Sequence, residues 1–155
     1  MKGWFKQFFA AGLAIAVVAM GAMVVQPAYA DAVKDRVAAM KSISKANKAM
    51  QAAVKKGNKA MVEKEAMMIV SLAEKIPALF PKGTDRGTLG AKATRAKPEI
   101  WAKWDDFQAR AGKLKSVAMQ VASAAKEGGN MAAAAKGMGG ACGACHKAFR
   151  GPKAK

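Results

Sequence analysis

The residues with the clearest chemistry lie within five positions near the carboxyl end of the chain, in the segment Cys142-Gly143-Ala144-Cys145-His146. This C-x-x-C-H spacing is typical of covalent c-type haem attachment. Two thiols three residues apart can add to the two vinyl groups of one haem, and the adjacent imidazole can reach the iron as its proximal ligand. The chain has two cysteines and one histidine, and the motif contains all of them. We therefore predict one haem c, attached through Cys142 and Cys145, with His146 bound to its iron.

Three other uses of the cysteine pair fit the sequence less well. A structural zinc site takes four ligands, and here only carboxylates remain to complete it. A thioredoxin-like dithiol opens a helix that follows a strand, whereas this motif lies near the end of a chain with helical periodicity. A disulfide between Cys142 and Cys145 leaves His146 without a role.

The first 30 residues have the pattern of a secretory signal peptide. Lys2 and Lys6 precede an apolar run over residues 8–25, and Ala28-Tyr29-Ala30 places small residues where signal peptidase needs them. An uncleaved membrane anchor is the alternative for an apolar run of this length. We predict cleavage after Ala30, which leaves residues 31–155 as one periplasmic domain without a second apolar run that could span a membrane.

The remaining chain is strongly basic. Residues 31–155 contain 25 Lys or Arg and 10 Asp or Glu, which gives a net charge of +15. The lysines are spread over all the predicted helices rather than along one stripe, so we expect no nucleic-acid partner. The charge can steer the protein toward an acidic redox partner or an anionic membrane surface, or it can serve solubility alone. The first candidates for a docking face are Lys41, Lys45 and Lys48, which share one exposed side of a predicted helix.

The elements that must position the motif are helical, because apolar residues recur with helical spacing and strand-like alternation is absent. Four stretches stand out: about 32 to 56, 61 to 79, 98 to 125 and 131 to 149. Gly57-Asn58 and Gly128-Gly129 make two short joints, and residues 80–97 form a longer connector. The sequence therefore predicts an all-α fold, an antiparallel four-helix bundle.

Small side chains dominate the predicted core. Residues 31–155 contain 29 Ala but only 15 Val, Ile and Leu together. Protein interiors are packed at crystal-like density, so either the helices approach closely or a bulky group such as a haem fills part of the interior. We expect six of the methionines to be core filler, namely Met61, Met67, Met68, Met119, Met131 and Met138.

Beyond the haem motif, the chain resembles the class II c-type cytochromes, the cytochrome c′ family, over its whole length after residue 30. Four segments carry the resemblance in order: 31–36, 79–84, 94–101 and 142–150. A haem motif near the carboxyl end is itself the mark of this family. The resemblance implies a four-helix bundle, in agreement with the periodicity.

The resemblance also implies roles for three residues outside the motif. The family's distal haem position, one helical turn after the arginine of the first helix, holds Met40 here. In the low-spin branch a methionine of the first helix is the sixth iron ligand, whereas in the high-spin branch the position is occupied by an unligated side chain. Arg36 is expected to pair with a haem propionate or to line the distal pocket, with a surface arginine covering the core as the alternative. Arg150, four residues after His146, has the same two alternatives, and the family position favours a haem contact beside the proximal pocket.

Counting ligands limits the choices for the iron. One histidine cannot make a bis-histidine haem, and a lysine ligand would have to lose its proton and its hydration. Met40 and Met50 both lie on the core side of the first helix, and the family position favours Met40. Asn47 lies on the same row and can bond a propionate, a water molecule or the backbone.

The leading function is therefore one-electron transfer, not enzymatic turnover. A five-coordinate haem that binds nitric oxide or carbon monoxide is the alternative. Peroxidase chemistry needs a distal acid–base group, and the chain has no second histidine to supply one. The resemblance also implies a possible homodimer formed through the first two helices.

Overall fold

The computed structural model describes residues 25–154, and within that range the fold is helical and has no strands. Five α-helices follow one another: α1 (Val25–Lys55), α2 (Lys59–Lys75), α3 (Glu99–Ala102), α4 (Trp104–Glu127) and α5 (Met131–Phe149). A single 3₁₀ turn, Pro77–Leu79, follows α2. The four long helices form the predicted bundle, so the predictions of an all-α class and a four-helix architecture are confirmed.

The short joints between helices are built as the sequence predicts. Gly57 has a φ of +65° and Gly128 a φ of +79°, values in the left-handed region that glycine adopts without strain. The side chain of Asn58 accepts a hydrogen bond from the backbone N–H of Met61, and Asn130 does the same for Ala133. These asparagines are N-caps, and they satisfy backbone donors that the first turn of a helix leaves free.

Two helix boundaries differ from the prediction. The second helix was expected to run to Leu79, but its α-helical part ends at Lys75 and is followed by the 3₁₀ turn that Pro77 opens. The third was expected to be continuous, yet the backbone turns at Lys103 (φ −127°, ψ 51°) and divides it into α3 and α4. The indole N–H of Trp101 donates to the Phe80 carbonyl at 3.0 Å, which ties α3 to the connector, residues 80–98.

The helices run up and down, so α1 is antiparallel to α5. The amino end of α1, the connector and the carboxyl end of α5 meet at one end of the bundle, where Ala96 pairs with Arg150 in an isolated antiparallel bridge. Packing is extensive between α1 and α2, α2 and α4, and α4 and α5, whereas α1 and α5 meet at few places. The side of the bundle between α1 and α5 is therefore the most loosely closed.

The core contains mostly the residues expected, with one group of exceptions. Met50 and Met138 are fully buried, but four methionines expected as core filler are 39% to 49% exposed: Met61, Met67, Met68 and Met119. The buried residues of α2 lie beside these methionines, at Val62, Ala66, Ile69, Val70 and Ala73. Alanines among these residues let α2 approach α4 closely, and the adjacent methionines are turned to the surface.

No helix within residues 25–154 is long and apolar enough to cross a membrane. Most of the predicted signal peptide lies outside the described residues. Helix α1 begins at Val25 and passes through the predicted cleavage position after Ala30. Cleavage there stays a prediction.

Candidate haem site

The C-x-x-C-H motif lies in the carboxyl half of α5. The side chains of Cys142 and Cys145 are half-buried against the core. Burial raises the pKa of both thiols, and at Cys145 the charge of Arg110 opposes that rise. Helical spacing of three residues places the two sulfur atoms on one side of α5, as double attachment to one planar group requires.

Arg110 holds the motif against α4, and this contact was not anticipated from the sequence. Its Nη1 donates to the carbonyl of Ala144, between the two cysteines, at 3.0 Å. Its Nε donates to both carboxylate oxygens of Asp106, at 2.9 and 3.1 Å. The spacing of Asp106 and Arg110 was the available signal, because oppositely charged residues four apart share one helix face.

Met40 and His146 lie at the same level on the two antiparallel helices. The side-chain nitrogen of Gln51 on α1 donates to the carbonyl of Ala135 on α5 at 3.4 Å, which fixes their register. Met40 is eleven residues before Gln51, and His146 is eleven residues after Ala135. At 1.5 Å per residue, both are displaced about 16 Å in the same direction from that contact. Met40, half-buried on α1, and His146, exposed on α5, are therefore at the same height along the loosely closed α1–α5 boundary.

A buried polar atom at this boundary lacks a partner. The Oδ1 of Asn47 is inaccessible to solvent and makes no hydrogen bond within the described part of the chain. Leaving such an acceptor unsatisfied costs about 1–3 kcal/mol, so a further group beside α1 would relieve it. Asn47 is two turns from Met40 on the same row. Together with two sulfur donors, one imidazole and one thioether, this orphaned atom shows that the residues present fit a haem.

The glycines of α5 differ in how closely other protein atoms surround them. A Cβ at Gly137 would lie 3.1 Å from Cγ1 of Val117, so this glycine permits close packing of α5 on α4. A Cβ at Gly139, Gly140 or Gly143 would meet no protein atom within 4 Å.

Arg36 is buried, which excludes the surface position considered as its alternative. It is 5% exposed, and four of its five N–H groups are bonded to the turn after α2 and to the connector. The acceptors are the carbonyls of Leu79 and Thr84 and the hydroxyls of Thr84 and Thr94. The guanidinium also lies 3.9 Å above the Phe80 ring, and burial lowers its pKa to about 10. The fifth N–H makes no hydrogen bond to the residues that the structure describes.

Arg150 lies beside the imidazole of His146. Its Nη1 is 3.3 Å from Nδ1 of His146, and because a guanidinium can only donate, this contact uses the lone pair of Nδ1. Binding of a metal through Nε2 would place the imidazole proton on Nδ1, so the Arg150 side chain would have to turn away from this contact. Partial burial, together with the charges of Arg150 and Arg95, lowers the pKa of His146. The imidazole is thereby favoured in the neutral form that binds iron.

Comparison with known proteins agrees with this architecture. The family model described as "Cytochrome C'" matches residues 31–150. The chain is 40% identical over 87 residues to cytochrome c′ of Rhodospirillum rubrum, which covers 55% of this chain and 56% of that relative. It is 36% identical over 104 residues to cytochrome c-556 of Agrobacterium tumefaciens, covering 64% of this chain and 80% of the relative. The aligned part thus spans just over half the length of the Rhodospirillum protein.

Solved structures give the same result. Cytochrome c′ from Thermochromatium tepidum superposes with a TM-score of 0.71 at 28% identity, over 80% of this chain and 97% of that one. A nitric oxide complex of a cytochrome c′ variant from Alcaligenes xylosoxidans has a TM-score of 0.68 at 26% identity, over 80% and 97% of the two chains. The chain belongs to the cytochrome c′ family. Its cofactor is accordingly a haem c, and the family resemblance expected from the four sequence segments is confirmed.

Proposed function

We propose that this chain is a periplasmic one-electron carrier with a single haem c, held by thioether bonds from Cys142 and Cys145. His146 is the proximal iron ligand and Met40 the distal one. The observation that carries the proposal is the level placement of Met40 and His146 across the α1–α5 boundary. The haem supplies the reversible couple between ferric and ferrous iron.

The residues of the chain bind and orient that group. Arg110 fixes the backbone between the two cysteines through the Ala144 carbonyl, so the two thiols are presented together. Arg150 lies beside the imidazole and would border the proximal side of the bound group. Met40 closes the opposite side with a thioether, which favours ferrous iron and therefore raises the reduction potential relative to an open site.

The second candidate is a five-coordinate haem that binds small gases. It is favoured by the similarity to the Alcaligenes cytochrome c′, which was solved as a nitric oxide complex. In this alternative Met40 is an unligated pocket residue. The two candidates share Cys142, Cys145 and His146 and differ only at the distal side.

Haem attachment is tested by extraction of the matured protein with acidified acetone. We expect the pigment to stay with the polypeptide, because two thioether bonds hold it. Cys145→Ser should leave at most one bond and impair maturation, whereas His146→Ala removes the proximal ligand but leaves both attachments possible. Release of haem from the wild-type protein into the organic phase would contradict covalent attachment.

A further inference from the structure

The connector end of the bundle carries a concentrated positive charge beside the haem motif. Residues 80–98 and 143–154 together contain eight Lys or Arg and one acidic residue, Asp85. Both carboxylate oxygens of Asp85 are bonded within its own turn, to the N–H groups of Gly87 and Thr88 and to the Thr88 hydroxyl. Among residues 25–154, no ion pair joins Asp85 to a basic residue.

Three arginines converge on the segment that follows α5. The Nε of Arg95 donates to the Gly151 carbonyl at 2.8 Å, and Nη1 of Arg86 donates to the Pro152 carbonyl at 3.3 Å. The guanidinium of Arg86 lies over Gly151 so closely that a Cβ there would collide with it. Arg150 belongs to the same segment and reaches His146. Backbone carbonyls thus hold like charges together near the proximal ligand.

The arginine charges are not neutralised within the described part of the chain. Its ion pairs are Lys97 with Glu99, Arg110 with Asp106, and Lys115 with Glu74. Desolvation and the charges of Arg150 and Arg86 lower the pKa of Arg95, in keeping with the proximity of the three groups. Clustered charges of one sign create a positive surface potential that attracts anionic partners.

We infer that the surface formed by Arg86, Arg95, Lys147, Arg150 and Lys153, here called the arginine face, docks an acidic redox partner protein. Guanidinium groups match carboxylates in a planar, two-point geometry, and arginine is the basic residue enriched in protein interfaces. The face adjoins His146, so a partner bound there is close to the haem. This inference rests on the proposed electron-transfer function and names the partner's chemistry.

Two triple variants of equal net charge distinguish the arginine face from the other candidate docking face, which is formed by Lys41, Lys45 and Lys48. The first, Arg86→Gln/Lys147→Gln/Lys153→Gln, removes three of the five charges of the arginine face and leaves the Arg95 and Arg150 contacts in place. The matched control, Lys41→Gln/Lys45→Gln/Lys48→Gln, removes three charges from the exposed face of α1. Arg86→Lys keeps the charge but alters the bond to Pro152, which isolates any structural effect.

The first readout is oxidation of the ferrous protein by hexacyanoferrate(III). One electron passes from the haem iron to the trianion, giving ferric protein and hexacyanoferrate(II), and no bond or proton is exchanged. We expect the arginine-face triple to slow this reaction by about tenfold at low ionic strength, while the control triple changes it by less than about twofold. Equal slowing by both triples would show that net charge alone acts and would overturn the inference.

The second readout is binding without electron transfer. The arginine-face triple should elute from a carboxymethyl resin at lower salt than the control triple of the same net charge. Poly-L-glutamate should slow oxidation by hexacyanoferrate(III) only in proteins with an intact arginine face. Co-elution of the two triples contradicts the inference. Cosedimentation of the wild type with phosphatidylglycerol vesicles, without protection by poly-L-glutamate, would assign the face to a membrane instead. A protein that lacks covalent haem is recognised beforehand by its absorption spectrum. That result would contradict the proposed function and not the docking surface.

Discussion

At the scale of single residues, Arg36 shows how a buried charge can link distant parts of a helical chain. Its guanidinium joins α1 to residues 79–84 and to Thr94, two of the segments by which the chain resembles cytochrome c′. Met40 follows one turn later on α1. We therefore expect Arg36 to hold the connector against α1 as its main role, with its remaining N–H directed to the haem.

Removing either Arg36 or Thr84, which are hydrogen-bonded to each other, should destabilise the protein by a similar amount. Thr84 is fully buried, and its hydroxyl accepts from Nη2 of Arg36 at 2.6 Å. Thr84→Val and Arg36→Gln should each lower the free energy of unfolding by about 1–3 kcal/mol, because each leaves a buried polar group without its partner. Urea denaturation of the haem-containing proteins measures this. If Thr84→Val is as stable as the wild type while Arg36→Gln shifts the reduction potential, Arg36 acts chiefly on the haem.

At this scale the haem motif could be predicted from the spacing of its residues, but the long-range contacts around it could not. Cys142, Cys145 and His146 are adjacent in sequence, so the motif is visible in one dimension. Arg110 contacts Ala144 from 34 positions away, and Arg36 contacts Thr84 from 48 positions away. Such contacts depend on how the helices pack, which local periodicity does not determine.

At the scale of secondary-structure elements, glycines and prolines determine where helices end. Gly57 and Gly128 mark helix ends as the sequence predicts. Pro77 was missed as the end of α2, because the apolar residues Ile76 and Leu79 continue the helical spacing beyond it. The break at Lys103 has no glycine or proline to signal it. The wrong assignment of Met61 and Met68 to the core has a similar origin, since helical spacing back from the buried Ile69 leads to Ala66 and Val62 rather than to Met61.

Gly57 and Gly112 test whether backbone conformation, rather than lack of space, requires glycine at a helix end. A Cβ at Gly57 or at Gly112 would meet no atom within 4 Å, but only Gly57 has a positive φ, +65°. Gly57→Ala should cost about 1–2 kcal/mol because an L-residue is strained there. Gly112→Ala should instead stabilise the protein by about 0.5–1 kcal/mol, since alanine favours a helix interior. Thermal unfolding of both variants gives the comparison, and destabilisation by both would contradict the backbone explanation.

At the scale of the whole molecule, the exposed methionines indicate a surface for self-association. Met61 and Met68 are 39% and 44% exposed, seven residues apart on α2, and Val37 on α1 is 45% exposed. We expect a homodimer through the first two helices, because pairing would remove these apolar side chains from water. Met61→Glu/Met68→Glu should give a monomer in light scattering coupled to gel filtration. Met119→Glu, on α4, is the matched control and should leave the dimer intact.

The most direct test of the proposed site is the spectrum of the wild-type ferric protein. Met40 ligation predicts a low-spin, six-coordinate haem with a sulfur-to-iron band at the red edge of the visible range. Met40→Ala should then give a high-spin spectrum, a lower reduction potential and binding of carbon monoxide. Met50→Ala is the control, because Met50 is fully buried and its loss should reduce stability by about 2–5 kcal/mol without changing the spin state. A five-coordinate, high-spin wild type would contradict the account, as would low-spin bands that survive in Met40→Ala but are lost in Met50→Ala.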